Sequence, residues 1–133
     1  MPSITRYSHV SFTVSDREKS VAWYQKVMGF ERHSEVTADT FTRTRMRQPD
    51  SGILVTLTQH AQGAGDRFAE TRTGMDHVSL QVPSLEDLQE WKRRFEEHGV
   101  DHSEIKETGP GSAMITFRDL DHIQLELLAR AQP

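Results

Sequence analysis

Three side chains far apart in the sequence could together bind a divalent metal ion: His9, His77 and Glu126. Two imidazoles and one carboxylate form the facial ligand set that leaves coordination positions open. Glu126 lies between Leu125 and Leu127, where a carboxylate is costly unless a cation faces it. The chain has no cysteine, which argues against a closed thiolate zinc site. These residue types predict a site for Fe, Mn, Ni or Zn.

The two histidines begin two copies of one pattern. His-Val-Ser-x-x-Val starts at His9 and again at His77, and Trp23 returns as Trp91 at the same offset of 68 residues. In each copy an alternating strand precedes a helical pattern and three further strands. The sequence therefore predicts an α+β fold of two βαβββ units, over about 1–62 and 72–130, joined by a glycine-containing linker.

The alternation and the helix signals also predict where each element lies. Ser15, with Glu18 three residues later, is expected to cap the first helix, and Gly29 to end it. The second helix is expected from Ser84 to His98, and both tryptophans are interpreted as core residues. Strands are predicted at 8–14, 30–37, 40–47, 52–60, 75–82, 101–106, 112–118 and 122–128.

Alternation places the polar residues of several strands on one face, because successive side chains of a strand point to opposite sides. His9 and His77 share this face with the serines and threonines that follow them. The face is expected to lie opposite the helices, as a site or as a solvated surface, which antiparallel sheets commonly have. At the offset of 70 residues that separates Gly29 from Gly99, Thr56 corresponds to Glu126, so three protein ligands are expected rather than four.

Composition excludes several classes of protein. The net charge is −4 and no basic block occurs, so the phosphate attraction that drives nucleic-acid binding is missing. No apolar run approaches the roughly 20 residues needed to span a bilayer. The first residues lack the charged and apolar layout of a signal peptide, and the expectation is a soluble cytoplasmic protein.

These patterns resemble the vicinal oxygen chelate superfamily, which includes glyoxalase I, extradiol dioxygenases, fosfomycin-resistance enzymes and bleomycin-resistance proteins. The motifs that carry the resemblance span most of the chain: His9-Val-Ser-Phe-Thr-Val-Ser-Asp16, Trp23-Tyr24, Met28-Gly29-Phe30, Asp76-His77-Val-Ser-Leu-Gln-Val82 and Phe117-Arg118-Asp119-Leu120-Asp121 followed by Leu125-Glu126-Leu127. Leu120 and His122 stand where the family pattern usually has Pro and Gly.

The resemblance implies that each unit forms a cupped mixed sheet, that the sheets pair as half-barrels, and that the protein is a homodimer. By position, His9, His77 and Glu126 correspond to the family's metal ligands. Thr56 stands where glyoxalase I has an additional glutamate. The three-ligand pattern is therefore closer to the dioxygenase and fosfomycin-resistance branches.

Two functional hypotheses follow from the resemblance. The first is a metalloenzyme whose small substrate chelates the metal through neighbouring oxygens, with His60 and His122 as candidate proton-transfer groups. The alternative is a protein that binds and sequesters a natural-product antibiotic without turnover. Arg43, Arg45 and Arg47 alternate along one predicted strand and either clasp an anionic ligand or form a solvated edge.

Overall fold

The computed structural model describes residues 1–130 and confirms the α+β class with two βαβββ units. The chain divides into two compact units between Gly65 and Asp66. The first unit contains β1 (Val10–Thr13), α1 (Arg17–Met28), β2 (Glu31–Thr37), β3 (Phe41–Arg47) and β4 (Leu54–His60). The second contains β5 (Val78–Val82), α2 (Leu85–Glu97), β6 (Lys106–Gly109), β7 (Ser112–Arg118) and β8 (Gln124–Ala129).

Each unit forms its own four-stranded mixed sheet. The strand orders are β1-β4-β3-β2 and β5-β8-β7-β6, and in each sheet the first and last strands of the unit are parallel neighbours. The other neighbours are antiparallel. A parallel pair needs a long crossover between its strands, and the helix with its following hairpin supplies it.

The helix of each unit covers the apolar face of its sheet. On α1, Tyr24 is buried and its ring lies 6.3 Å from that of Phe12 in β1. On α2, Phe95 is fully buried and stacks at 4.4 Å on Phe117 of β7. The apolar strand residues therefore face the helices, as predicted, and the polar set lies on the other side. Within residues 1–130 neither helix has the length and apolar character needed to cross a membrane.

The cap of α1 differs from the sequence prediction by one residue. Asp16, not Ser15, is the N-cap, and its side chain accepts a hydrogen bond from the Lys19 amide at 3.1 Å. A carboxylate at this position also interacts favourably with the positive end of the helix dipole. Gly29 ends the helix with φ of 71°, as expected of a left-handed C-terminal residue.

Several predicted strand boundaries were wrong. β1 and β5 begin at Val10 and Val78, where the parallel ladders start. The two histidines that are candidate metal ligands, His9 and His77, therefore come directly before their strands. The strand predicted at 101–106 is instead Lys106–Gly109. Residues 101–105 run beside β7 through an isolated bridge between His102 and Phe117, without a regular ladder.

A tight turn over residues 119–122 leads into β8. Asp119 is buried, and its carboxylate accepts hydrogen bonds from the amides of Asp121 and Ile123, both at 2.9 Å. His122 has φ of 66° and is the one non-glycine residue with positive φ within residues 1–130. This conformation explains why a glycine is usual here in the family pattern that the sequence resembles.

Replacing His122 tests the backbone conformation of this turn. His122→Gly relieves about 1 kcal/mol of strain, offset by roughly 0.5–1 kcal/mol of extra unfolded-chain entropy. We therefore expect an unchanged or slightly higher free energy of unfolding. His122→Val places a β-branched residue at positive φ and is expected to lower it by roughly 1–2 kcal/mol. Urea denaturation measures both values, and equal stabilities for the two variants would contradict a left-handed conformation at this residue.

Candidate metal centre

The His77 imidazole is oriented by the residue before it. Its Nδ1 lies 2.7 Å from Oδ1 of Asp76, and the side chain is 39% exposed. A carboxylate on one ring nitrogen fixes the tautomer and makes the other nitrogen a better metal ligand. The opposite nitrogen, Nε2, faces Glu126, with 3.5 Å between Nε2 and Oε2.

Glu126 is held on the same face of the sheet by Ser79. The two residues are direct partners in the parallel ladder between β5 and β8, and the Ser79 hydroxyl donates to Oε1 of Glu126 at 2.9 Å. The other carboxylate oxygen is the one that faces His77. Only 12% of the Glu126 side chain is exposed, so its charge is largely removed from water.

The spacing of these two groups fits a metal ion. Two donor atoms that each lie about 2.1 Å from one ion are about 3.0 Å apart at a right angle and about 3.4 Å apart at the tetrahedral angle. The 3.5 Å between His77 Nε2 and Glu126 Oε2 is close to the second value. It is longer than the roughly 2.7–2.9 Å of a charge-assisted hydrogen bond. Each of the two groups also has a hydrogen-bonding neighbour on its other polar atom: Asp76 contacts Nδ1 of His77, and Ser79 donates to Oε1 of Glu126. Metal ligands are commonly oriented by such neighbours.

His9 has the same local arrangement in the first unit. It precedes β1 as His77 precedes β5, and its Nδ1 lies 3.0 Å from the hydroxyl of Ser8. In both units the residue before the histidine contacts Nδ1 and leaves Nε2 on the far side of the ring. The structure brings His77 and Glu126 together, but within residues 1–130 it assembles no cluster of three or more ligand side chains.

Thr56 occupies the ladder position in the first unit that Glu126 has in the second. Ser11 pairs with Thr56 as Ser79 pairs with Glu126. The Ser11 hydroxyl contacts Thr58 at 3.0 Å instead of its ladder partner. Thr56 is 2% exposed, and its hydroxyl has no hydrogen-bond partner within the described chain.

A series of hydrogen bonds extends from Asp76, the residue that contacts Nδ1 of His77, to Glu70. Gln124 donates from Nε2 to the carboxylate of Asp76 at 3.1 Å, and its Oε1 accepts from Arg118 at 3.3 Å. Arg118 makes two hydrogen bonds of 2.9 and 2.8 Å to the carboxylate of Glu70. These bonds lower the pKa of Glu70 from 4.5 to about 2.

The two candidate proton-transfer histidines lie outside the His77–Glu126 pair. His60 is exposed at the end of β4, where its ring lies 6.2 Å from that of Phe41. His122 belongs to the turn before β8 rather than to the strand, and its carbonyl accepts from Arg118 at 3.2 Å. Their roles in proton transfer stay predictions.

Sequence reasoning missed the residues that orient His77. Asp76 was visible as the carboxylate directly before the histidine, and Ser8 occupies the same place before His9. Glu70 lies in the segment interpreted as a linker. Its contact with Arg118 joins residues that are 48 positions apart, and no local pattern indicates such a pairing.

Comparison with known proteins identifies the family. The profile of the Glyoxalase/Bleomycin resistance protein/Dioxygenase superfamily matches residues 6–127. The chain belongs to this superfamily. The match covers both βαβββ units and includes His9, His77 and Glu126.

The curated relatives of this superfamily member are longer proteins. The chain is 31% identical over 125 residues to "Putative ring-cleaving dioxygenase MhqA" of Bacillus subtilis (strain 168), covering 91% of the chain and 39% of the relative. It is 27% identical over 86 residues to "Putative protein C31H2.4" of Caenorhabditis elegans, covering 65% of the chain and 24% of the relative. The chain thus spans well under half the length of either.

Solved structures agree with the family and the fold. A glyoxylase/bleomycin resistance protein/dioxygenase domain from Frankia sp. EAN1pec is 32% identical with a TM-score of 0.89, and the match covers 97% of this chain and 100% of that one. The fosfomycin resistance protein FosX from Listeria monocytogenes, complexed with Mn(II) and sulfate ion, is 23% identical with a TM-score of 0.71, over 97% and 95% of the two chains. This second likeness shows a shared fold.

The Glu70–Arg118 pair is expected to make the free energy of unfolding depend on pH in the acidic range. Because the pKa of Glu70 is lower in the folded chain than its ordinary value of 4.5, the pair stabilises the fold above that pH, and this contribution is lost as pH falls towards 2. Glu70→Gln should therefore lower stability at neutral pH but much less near pH 2. Thermal unfolding between these pH values measures the difference. Glu90→Gln, a change at an exposed residue of α2, is the control, and equal pH profiles for both variants would contradict the assignment.

Proposed function

We propose that this chain is a divalent-metal-dependent enzyme domain of the dioxygenase type. Its substrate is a small molecule that chelates the metal through two neighbouring oxygens. The observation that carries the proposal is the His77–Glu126 pair, whose donor atoms are 3.5 Å apart and whose orientation is set by Asp76 and Ser79. The 31% identity to a protein named as a ring-cleaving dioxygenase supports the reaction class.

The proposed ligands are His9, His77 and Glu126, with Fe, Mn, Ni or Zn as the metal. A metal held by these residues with open positions would supply Lewis-acid chemistry toward the substrate oxygens, and Fe(II) would also supply chemistry with O₂. Thr56 is not proposed as a ligand, because a neutral hydroxyl is a poor donor to such ions compared with a carboxylate or an imidazole.

The residues around these ligands have distinct positioning roles. Asp76 holds the Nδ1 proton of His77 and keeps Nε2 directed at Glu126. Gln124 holds Asp76, and Arg118 holds Gln124. Ser79 occupies one oxygen of Glu126 and leaves the other for the metal. A side chain that is oriented in advance loses less conformational entropy on binding.

Removing the charge of Glu126 tests the metal site directly. Glu126→Gln keeps the size of the side chain, and we expect it to weaken metal affinity more than 100-fold, beyond the roughly 10–100-fold typical of an outer-shell change. Thr56→Val, at the corresponding ladder position, is expected to leave metal affinity unchanged. Titration with Fe(II), Mn(II), Ni(II) and Zn(II) after chelator treatment measures both, with circular dichroism to check folding. Full occupancy in Glu126→Gln would overturn the ligand assignment.

The role of Asp76 can be measured separately from that of the ligands. Asp76→Asn removes the charge from the group that orients His77, and we expect a loss of metal affinity of roughly 10–100-fold. Ser8→Ala is the corresponding change beside His9. Because Ser8 is neutral, its removal should cost less than the Asp76 change. An Asp76→Asn variant with wild-type affinity would contradict the positioning role.

The reaction class is tested with the metal-loaded protein. We expect O₂ consumption that depends on Fe(II) and on an aromatic diol with adjacent hydroxyl groups, and that is lost in Glu126→Gln. Metal content after purification without chelator separates this function from antibiotic sequestration. A protein that binds a natural product tightly but holds no metal and consumes no O₂ would replace the enzyme proposal with the binding one.

We also propose that the chain forms a homodimer, since symmetric dimers are the commonest soluble oligomers. Light scattering at micromolar concentration is then expected to give twice the chain mass of 15.2 kDa. A single species of the chain mass would contradict the proposal.

A further inference from the structure

The polar face of the first unit's sheet carries a cluster of hydrogen-bond donors. Arg43 and Arg45 of β3 are the ladder partners of Thr58 and Thr56 of β4, so the four side chains lie on one face. Ser11 of β1 pairs with Thr56 from the other side. Residues two apart on a strand are about 6.6–6.8 Å apart, so Arg43 and Arg45 are neighbours on this face.

Thr56 lies at the centre of this cluster, and its hydroxyl lacks a hydrogen-bond partner within the described chain. Its side chain is 2% exposed, and its hydroxyl has no hydrogen-bond partner among residues 1–130. A buried hydroxyl without a partner is unfavourable. The serine beside it bonds to Thr58 instead. The hydroxyl therefore has a hydrogen-bonding capacity that no group of the described chain uses.

The two arginines also lack a charged partner. Arg43 donates from Nε to the hydroxyl of Thr58 at 2.8 Å and lies 4.6 Å from the centre of the Phe41 ring. Arg45 donates to the hydroxyl of Ser34 at 3.3 Å. Neither forms an ion pair with a carboxylate of the described chain, whereas Arg17, Arg32 and Arg118 all do. Both side chains are half-buried, so their charges are less screened than those of fully exposed arginines.

Among the described strands of the first unit, no carboxylate lies beside this pair on the same face. Ladder partners place Ser34 and Val36 of β2 opposite Arg45 and Arg43. Within the described strands β1–β4, the acidic residue on this face is Glu31, which pairs with Arg47 at the far end. The centre of the face therefore combines positive charge, a neutral buried donor and an adjacent aromatic ring.

We propose that this face is a binding site for an oxyanion, the carboxylate or phosphate group of a small organic ligand. Arg45 and Arg43 supply guanidinium donors, and Thr56 supplies the hydroxyl. Arginine suits such groups because its planar fork can donate two parallel hydrogen bonds. The site belongs to the first unit, and its anion binding does not require a metal at His77 and Glu126.

The test uses the full-length protein after chelator treatment, so that metal binding cannot contribute. Benzoate and inorganic phosphate, each titrated at low ionic strength, serve as the two probes, and calorimetry gives their dissociation constants. We expect at least one probe to bind, with the Nε–H resonances of Arg43 and Arg45 shifting in NMR spectra. Preference for benzoate indicates a carboxylate ligand, and preference for phosphate indicates a phosphoryl ligand.

Two variants and a charge-matched control identify the groups responsible. Thr56→Val and Arg45→Gln should each weaken binding about tenfold or more, since each removes a donor to a charged group. Lys19→Gln removes one positive charge from an exposed position of α1 and should leave the affinity unchanged. Thr56→Val is also expected to unfold no earlier than the wild type, because it removes a buried hydroxyl without a partner.

Three results would overturn the proposal. The first is the absence of binding by either probe, and the second is unchanged affinity in Thr56→Val and Arg45→Gln. The third is an equal loss in Arg45→Gln and Lys19→Gln, which would indicate attraction to overall charge. Failure of metal binding in the same protein would leave these measurements unaffected, so the two proposals fail separately.

Discussion

The parallel pairing of the first and last strands of each unit is the constraint on which the site depends. It places Ser79 beside Glu126 and Ser11 beside Thr56, although each pair comes from opposite ends of its unit. The helix covers one side of the sheet, and the strands that follow it bring the chain back to the position beside the first strand. Without this pairing, nothing would hold the histidine before β5 close to the carboxylate of β8. The apolar residues under the helices maintain the pairing, because a register shift of one residue would bury the polar set.

Much of this arrangement can be predicted from the sequence, because the repeat and the alternation of polar and apolar residues are local signals. His77, Glu126 and the equivalence of Thr56 to Glu126 all follow from those signals. The beginnings of β1 and β5 do not, because ladder hydrogen bonds to β4 and β8 determine them. The contact of Arg118 with Glu70 likewise depends on tertiary structure. The shift of the predicted 101–106 strand to Lys106–Gly109 has the same cause, since pairing with β7 decides which residues are regular.

The two units use one backbone design for different chemistry. At equivalent ladder positions the second unit has a carboxylate that is held by a serine, and the first has a hydroxyl beside an arginine. The parallel ladders are of the same kind in both, so a change of side chain alone alters the charge that this ladder position presents. A duplicated unit can thus diverge in ligand preference while its helix and its core remain under the same packing constraints.

Gln124 shows how far such constraints extend from the proposed metal ligands. Its amide is oriented at both ends, since the oxygen accepts from Arg118 and the nitrogen donates to Asp76. Glutamate at this position would still accept from Arg118 but would face the carboxylate of Asp76, and lysine would face the guanidinium of Arg118. A charged side chain at residue 124 would therefore weaken the contact at one end of this series, and a compensating change at residue 76 or 118 would be needed to restore it.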